Sequence, residues 1–174
     1  MLRLCADYLR IILFCGGLLI GIQIPAVVDQ YAKRIDAHLT EAMYAFVGFQ
    51  KTADRYFEGN IQNLIKHYNS SDDAVFENDA ANIFLISNRV SHLKAEQAAL
   101  NQSTLMRTAH VLFFPDNKVF QQTLEQYSYM ILVSPQALVW GLISGLLMAS
   151  FFDLLFYING YLFRLKKNRK KSKA

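Results

Sequence analysis

The chain has 174 residues, 53% of them apolar, with 18 Lys/Arg against 14 Asp/Glu, a net charge of +4 and a slightly positive mean hydropathy. From Asp29 to Gln136 there are 9 Lys/Arg and 12 Asp/Glu, whereas the stretch from Arg164 to Lys173 carries seven cations and no acid. The basic balance therefore belongs to the tail, next to an apolar run, where membrane topology and anionic lipid account for it; no nucleic-acid partner is expected.

In chain order, the first element is an uncharged apolar run from Ile11 to Val28. It is long enough to cross the ~30 Å hydrocarbon core as a helix. A cleaved signal peptide is the rival reading, but the apolar run is too long for one and no A-x-A site follows it. Phe14 before Cys15 also argues against a lipoprotein site, so an uncleaved anchor is expected. Cys5 and Cys15 are the only cysteines, and both fall at or within this run. The rest of the chain then has neither a disulfide framework nor a thiolate metal site.

After Pro25, the residues Ile35, Leu39, Ala42, Met43, Phe46, Phe49, Ala53 and Phe57 keep an apolar stripe at steps of three and four. That spacing predicts one long helix from the apolar run to about Phe57, with room for a kink at Pro25. Gly59-Asn60 breaks it, and Asn60 can cap a short helix carrying Ile61, Leu64, Ile65 and Tyr68. The segment from Asn69 to Asp73 is a turn by composition. A second long helix is expected from about Asp79 to Leu100, with Ile83, Ile86, Val90, Leu93, Gln97 and Leu100 at heptad spacing, as in a coiled coil.

Ser103 can open a further helix through Leu105, Ala109 and Leu112 that ends at Pro115, and Asp116 can cap a last short piece with Phe120, Leu124 and Tyr127. Leu112-Phe113-Phe114 has two readings, a dip into the lipid interface or a cap on the bundle core. Ser134-Pro135 then starts the second apolar run, Ala137 to Phe152, as N-cap and first helical residue. No window alternates like a strand.

The expected fold is an all-α membrane protein: two transmembrane helices, at 8–28 and 135–160, flank a helical periplasmic domain at 29–134 built on a long antiparallel helix pair. At 1.5 Å per residue that pair measures about 43 Å and about 33 Å. The cations after the second run put residues 161–174 in the cytoplasm by the positive-inside rule, and two spans put residues 1–7 there too.

The most specific local pattern lies in the two apolar runs. Gly17 and Gly21 are four apart, as are Gly141 and Gly145, with Ala149 and Asp153 continuing that face. Small residues at this spacing let helix backbones approach closely. Depth counted from the cytoplasmic ends sets Gly17 opposite Ala149 and Gly21 opposite Gly145. The faces can serve packing within one chain or a homodimer, and a coincidence of common span glycines is the bland alternative. Asp153 is the only acid in a span, and Arg10 at similar depth is its expected partner, unless Asp153 reaches water unaided. Tyr127, Tyr129, Trp140, Tyr157 and Tyr161 suit interfacial belts. Lys166, Lys167, Arg169, Lys170 and Lys171 suit anionic lipid headgroups.

Catalytic chemistry is not visible. His38, His67, His92 and His110 lack metal-ligand spacing, and Asp72, Asp73, Glu77 and Asp79 read as a solvated turn and helix start. No nucleophile, phosphate-loop or dinucleotide motif occurs. No enzyme activity, cofactor or metal is expected.

The stretches Gly21-Ile22-Gln23-Ile24-Pro25, Val28-Asp29-Gln30-Tyr31, Gly48-Phe49-Gln50, His67-Tyr68, Val75-Phe76, Tyr127-Ser128-Tyr129, Pro135-Gln136-Ala137 and Trp140-Gly141-Leu142 resemble a family of uncharacterised proteobacterial membrane proteins, catalogued only as a domain of unknown function. The resemblance runs to about Asp153 and implies a bacterial inner-membrane protein of this two-span layout. It carries no activity and no functional residue. Two function classes follow. One is a non-catalytic accessory or scaffold protein whose helical periplasmic domain and spans bind an envelope membrane protein, a homo-oligomer being the alternative partner. The other is a ligand-sensing or transport-related module that acts through a partner.

Overall fold

The computed structural model describes the backbone of residues 2–127 and 134–171 and the side chains of residues 7–127 and 134–158. Six helices and no strand occur among the described residues: α1 (Leu2–Tyr56), α2 (Ile61–Asn69), α3 (Ala74–Leu100), α4 (Thr104–Phe113), α5 (Asn117–Glu125) and α6 (Pro135–Lys171). They form two compact units. One combines α1 up to Val27 with α6, and the other spans Val28–Tyr127.

α1 runs through Pro25 without a break in its helical assignment and ends where two consecutive residues turn left-handed, Glu58 at φ 54° and Gly59 at φ 79°. Gly59 suits that position because it has no Cβ to clash, and its N–H, with that of Phe57, closes onto the Ala53 carbonyl. Asn60 then caps α2, its side chain accepting from the N–H groups of Gln62 and Asn63.

α3 starts five residues before the expected Asp79. Asp73 is its N-cap and accepts from Val75 N–H, so the acidic turn is itself the helix start. Its buried stripe is Ala80, Ile83, Ser87, Val90, Leu93 and Leu100. Ser87 takes the place expected of Ile86, which is only half-buried, because a small residue lets the neighbouring helix come close.

The core of the Val28–Tyr127 unit is the α1 stripe Tyr31, Ile35, Leu39, Ala42 and Ala53 together with that face of α3. Met43 departs from the expected stripe and is exposed, while Phe46, Phe49 and Phe57 are half-buried. Ile65, Ala80 and Ile83 form a cluster with Phe49, Ile61 and Tyr68 packed on it. α4 and α5 depart further. α4 buries Thr108 and Val111 rather than Leu105 and Leu112, and α5 buries Val119 and Thr123 rather than Leu124. Tyr127 is buried.

Candidate functional site

In the first unit, the glycines of α1 face those of α6. A Cβ on Gly17 would stand 2.9 Å from the Ser144 carbonyl oxygen and 3.0 Å from Gly145 Cα; one on Gly21 would stand 2.8 Å from Gly141 Cα and collide with Ser144 Oγ. A Cβ on Gly145 would meet the Phe14 carbonyl at 3.0 Å, and one on Gly141 the Leu18 carbonyl at 3.0 Å. These distances leave no room for a side chain, so the backbones touch directly. Ser144 Oγ donates to the Gly17 carbonyl at 2.6 Å and lies 3.0 Å from its own-helix Gly141 carbonyl. The register differs by one turn from the depth count, since Gly17 meets Gly145 and Gly21 meets Gly141. Counting from the ends cannot see Ser144, whose bond fixes the alignment. Ala149 is half-buried one turn further along α6.

Farther along the same two helices, Arg10 Nη2 lies 2.6 Å from Asp153 Oδ1, and Arg10 Nε donates to that oxygen at 2.8 Å. Asp7 stands 3.8 Å from Arg10 Nη1, and Arg10 and Asp153 are each about half exposed. Residue numbers fall on α6 as they rise on α1, from 10 with 153 to 21 with 141. The large side chains point outward: Ile11, Ile20, Leu142, Leu147, Phe151 and Phe156 are all exposed. Among the belt residues, Trp140 is half-buried and Tyr157 is exposed. Lys166, Lys167, Arg169, Lys170 and Lys171 lie on the α6 backbone, and their side chains, like that of Tyr161, fall outside the described residues, as does Tyr129 altogether.

The second unit holds a polar network that spacing did not single out. Tyr31, fully buried, donates to Glu96 Oε2 at 2.9 Å and accepts from Asp116 N–H at 2.8 Å. His110 Nε2 donates to the same Glu96 oxygen at 3.0 Å. Burial, opposed by the bond from Asp116 N–H and reinforced by the Glu96 carboxylate, pushes the Tyr31 phenol well above its usual range, so it remains a proton donor. Asp116 caps α5 through Val119 N–H and bonds His92 at 2.8 Å. Burial works against its ionisation, but those bonds and the His92 charge outweigh it and hold the carboxyl below the usual carboxylate range. Tyr31 sits one turn before Ile35 on the predicted stripe, which is the signal that would have found it.

Further bonds tie α1 to its neighbours in order along its length. Arg107 faces Asp29 at 3.8 Å, Arg34 donates to Gln126 at 2.7 Å, Gln97 donates to Asp36 at 2.8 Å, and Arg89 stands 3.9 Å from Glu41. At the other end of the unit, Thr52, Phe57, Leu64, His67, Tyr68 and Phe76 line a cavity of about 470 Å³. Its rings touch edge to face, with Tyr68 and Phe76 centroids 5.3 Å apart. A more open apolar hollow of about 550 Å³ runs along α1 past Met43, Tyr44, Phe46 and Val47 to Lys94. Among the described residues, no three His, Cys, Asp or Glu side chains converge as a metal site would require.

The described residues thus define an all-helical protein with two helices, within Asp7–Tyr56 and over Pro135–Ile158, that are long and apolar enough to cross a membrane. The family described as Protein of unknown function (DUF2937) matches residues 5–165, and the chain belongs to that family. No curated protein and no solved structure matches the chain.

Proposed function

We propose that this is a non-catalytic accessory protein of the bacterial inner membrane, crossing it twice and holding the Val28–Tyr127 unit in the periplasm and both termini in the cytoplasm. Support for the spans comes from the helix pair itself, which joins through glycine backbones and turns its large apolar side chains outward. The sequence of bonds along α1, from Tyr31 with Glu96 to Glu41 with Arg89, favours α3 returning antiparallel to it. The cations from Arg164 onward favour anionic lipid at the cytoplasmic face.

The observation that carries the accessory reading is the open apolar surface on α1, where Met43, Tyr44 and Val47 stay exposed on an otherwise polar outer face. Exposed apolar area of this kind is a contact surface for another protein, and an envelope membrane protein is the partner this location offers. A C-terminally tagged chain, expressed at native level and extracted with its surrounding lipid, tests this by mass spectrometry with stoichiometry. One envelope protein recovered near one-to-one is the expected result; recovery of the chain alone, as monomer or homo-oligomer, contradicts the accessory role.

The cavity at Phe57, His67, Tyr68 and Phe76 favours a second reading, a ligand-sensing module that signals through a partner. Its volume falls within the range of small-molecule sites, and its lining is aromatic with one imidazole. Recovery of a bound small apolar molecule with the purified chain would select this reading.

A further inference from the structure

α4 is turned inside out for a helix in water. Leu105, Met106, Leu112 and Phe113 are exposed by 71%, 62%, 43% and 73%, and Phe114 just beyond the helix by 75%. With Ala109, the four that lie on the helix fill one arc of about 120°. The opposite face, packed on the rest of the unit, is formed by Thr108 and Val111 with Arg107 and His110 at its margins. A surface helix in water places these two sets the other way round. The same inversion removes one reading of Leu112-Phe113-Phe114: these residues do not cap the bundle core.

What covers the face follows from where α4 is tied. Arg107 pairs with Asp29, and the turn after α4 is bonded to Tyr31 through Asp116 N–H. Gln126, which caps the C-terminus of α5, accepts from Arg34. Asp29, Tyr31 and Arg34 all lie within the first six residues after the apolar run that ends at Val28. Within the Val28–Tyr127 unit, α4 and α5 are therefore tied to the part of α1 that begins at Asp29, while the α2 turn and the aromatic cavity belong to the far end of α1. The α5 surface is mostly polar, with Asn117, Lys118, Gln121 and Glu125 exposed beside a single exposed apolar residue, Leu124, so the apolar outer surface is concentrated on α4.

We infer that α4 is a membrane-surface helix whose Leu105, Met106, Leu112, Phe113 and Phe114 sink into the headgroup and upper acyl region of the same bilayer the two apolar helices cross. The inference rests on the two-span reading. The occupant is lipid because the apolar exposure lies on the helix tied to the part of α1 that begins where the span ends. Embedding α4 fixes the unit to the membrane at a second point and leaves α2 and the cavity facing the aqueous side.

Tryptophan quenching tests it, because Trp140 is the single tryptophan and lies on α6. The full chain is reconstituted in nanodiscs whose lipid is brominated either just below the headgroup or deep in the chains. Three proteins are compared: the native one, Trp140→Phe with Phe113→Trp, and Trp140→Phe with Leu85→Trp on an exposed position of α3. Phe113→Trp is expected to be quenched by shallow bromines about twofold more than by deep ones, as an interfacial helix buried ~5–10 Å requires. Leu85→Trp is expected to be unquenched by either, and Trp140 to be quenched. If Trp140 is quenched while Phe113→Trp and a second reporter, Leu105→Trp, are not, the two spans stand and the inference falls. Equal quenching of Leu85→Trp and Phe113→Trp overturns it as well. No quenching of Trp140 contradicts the two-span reading itself.

Discussion

The helix pair and the Val28–Tyr127 unit solve the same problem with opposite residues. The pair puts Gly17, Gly21, Gly141, Gly145 and Ser144 at its contact and large aliphatic and aromatic side chains outside. The unit puts Tyr31, Ile35, Leu64 and Ile83 inside and keeps most charge outside. In water, burying large apolar groups supplies the driving force. Between helices in lipid that force is absent, and close backbone approach with a few hydrogen bonds replaces it. α4 is informative because it belongs to the second unit yet leaves Leu105, Met106, Leu112 and Phe113 exposed.

Breaking the two regions therefore takes opposite substitutions. Ile83→Ala, which empties a fully buried position, should cost the second unit about 3–4 kcal/mol. Far-UV circular dichroism during urea unfolding reads this loss, while Trp140 fluorescence, a probe of the helix pair, should keep its own midpoint. Gly21→Leu, which adds volume where there is none, should destabilise the pair by about 3 kcal/mol. Gly16→Leu, with nothing within 4 Å of its Cβ position, should leave the Trp140 transition unmoved. Equal effects of the two glycine substitutions would remove the packing face from the account.

Acid sharpens the comparison. The Asp116 carboxyl is held below its ordinary 3.8 in the folded chain, so the unfolded chain binds the proton first as pH drops. Its contribution is complete above about pH 4 and is lost as pH falls through the lowered value. Asp116→Asn should flatten that decline in the second unit's stability without changing the acid response of the pair. The smallest effect expected is that of Asp153→Asn. Its ion pair with Arg10 is half exposed, and in detergent the loss should be under about 1 kcal/mol. A loss several times larger would mean the pair is shielded far more than its exposure indicates.

Much of the fold was legible because its signals are local. Gly59-Asn60, Asp116 and Ser134-Pro135 mark helix boundaries through their own backbone and side-chain chemistry, and the structure uses each of them. The start of α3 was read late because Asp72-Asp73 looks like a turn and a cap at once. The buried faces of α4 and α5 were misread for a different reason. Burial was inferred from apolarity, and that inference fails wherever apolar residues have somewhere else to go. The glycine faces were visible as small residues at a spacing of four, but their register depended on Ser144, a residue whose role exists only once two helices meet. The Tyr31, Glu96, His110 and Asp116 network was hidden because its members are far apart in the chain and belong to no motif.

The central claim is that two membrane-crossing helices carry the Val28–Tyr127 unit on one side and the basic tail on the other. Single cysteines at Asn101 and at Ala174, in a chain with Cys5 and Cys15 replaced by serine, test it with a membrane-impermeant maleimide applied to intact spheroplasts. The account predicts that Asn101→Cys is labelled at once and Ala174→Cys only after lysis. Labelling of both from outside, or of neither until lysis, would put the unit and the tail on the same side and contradict it.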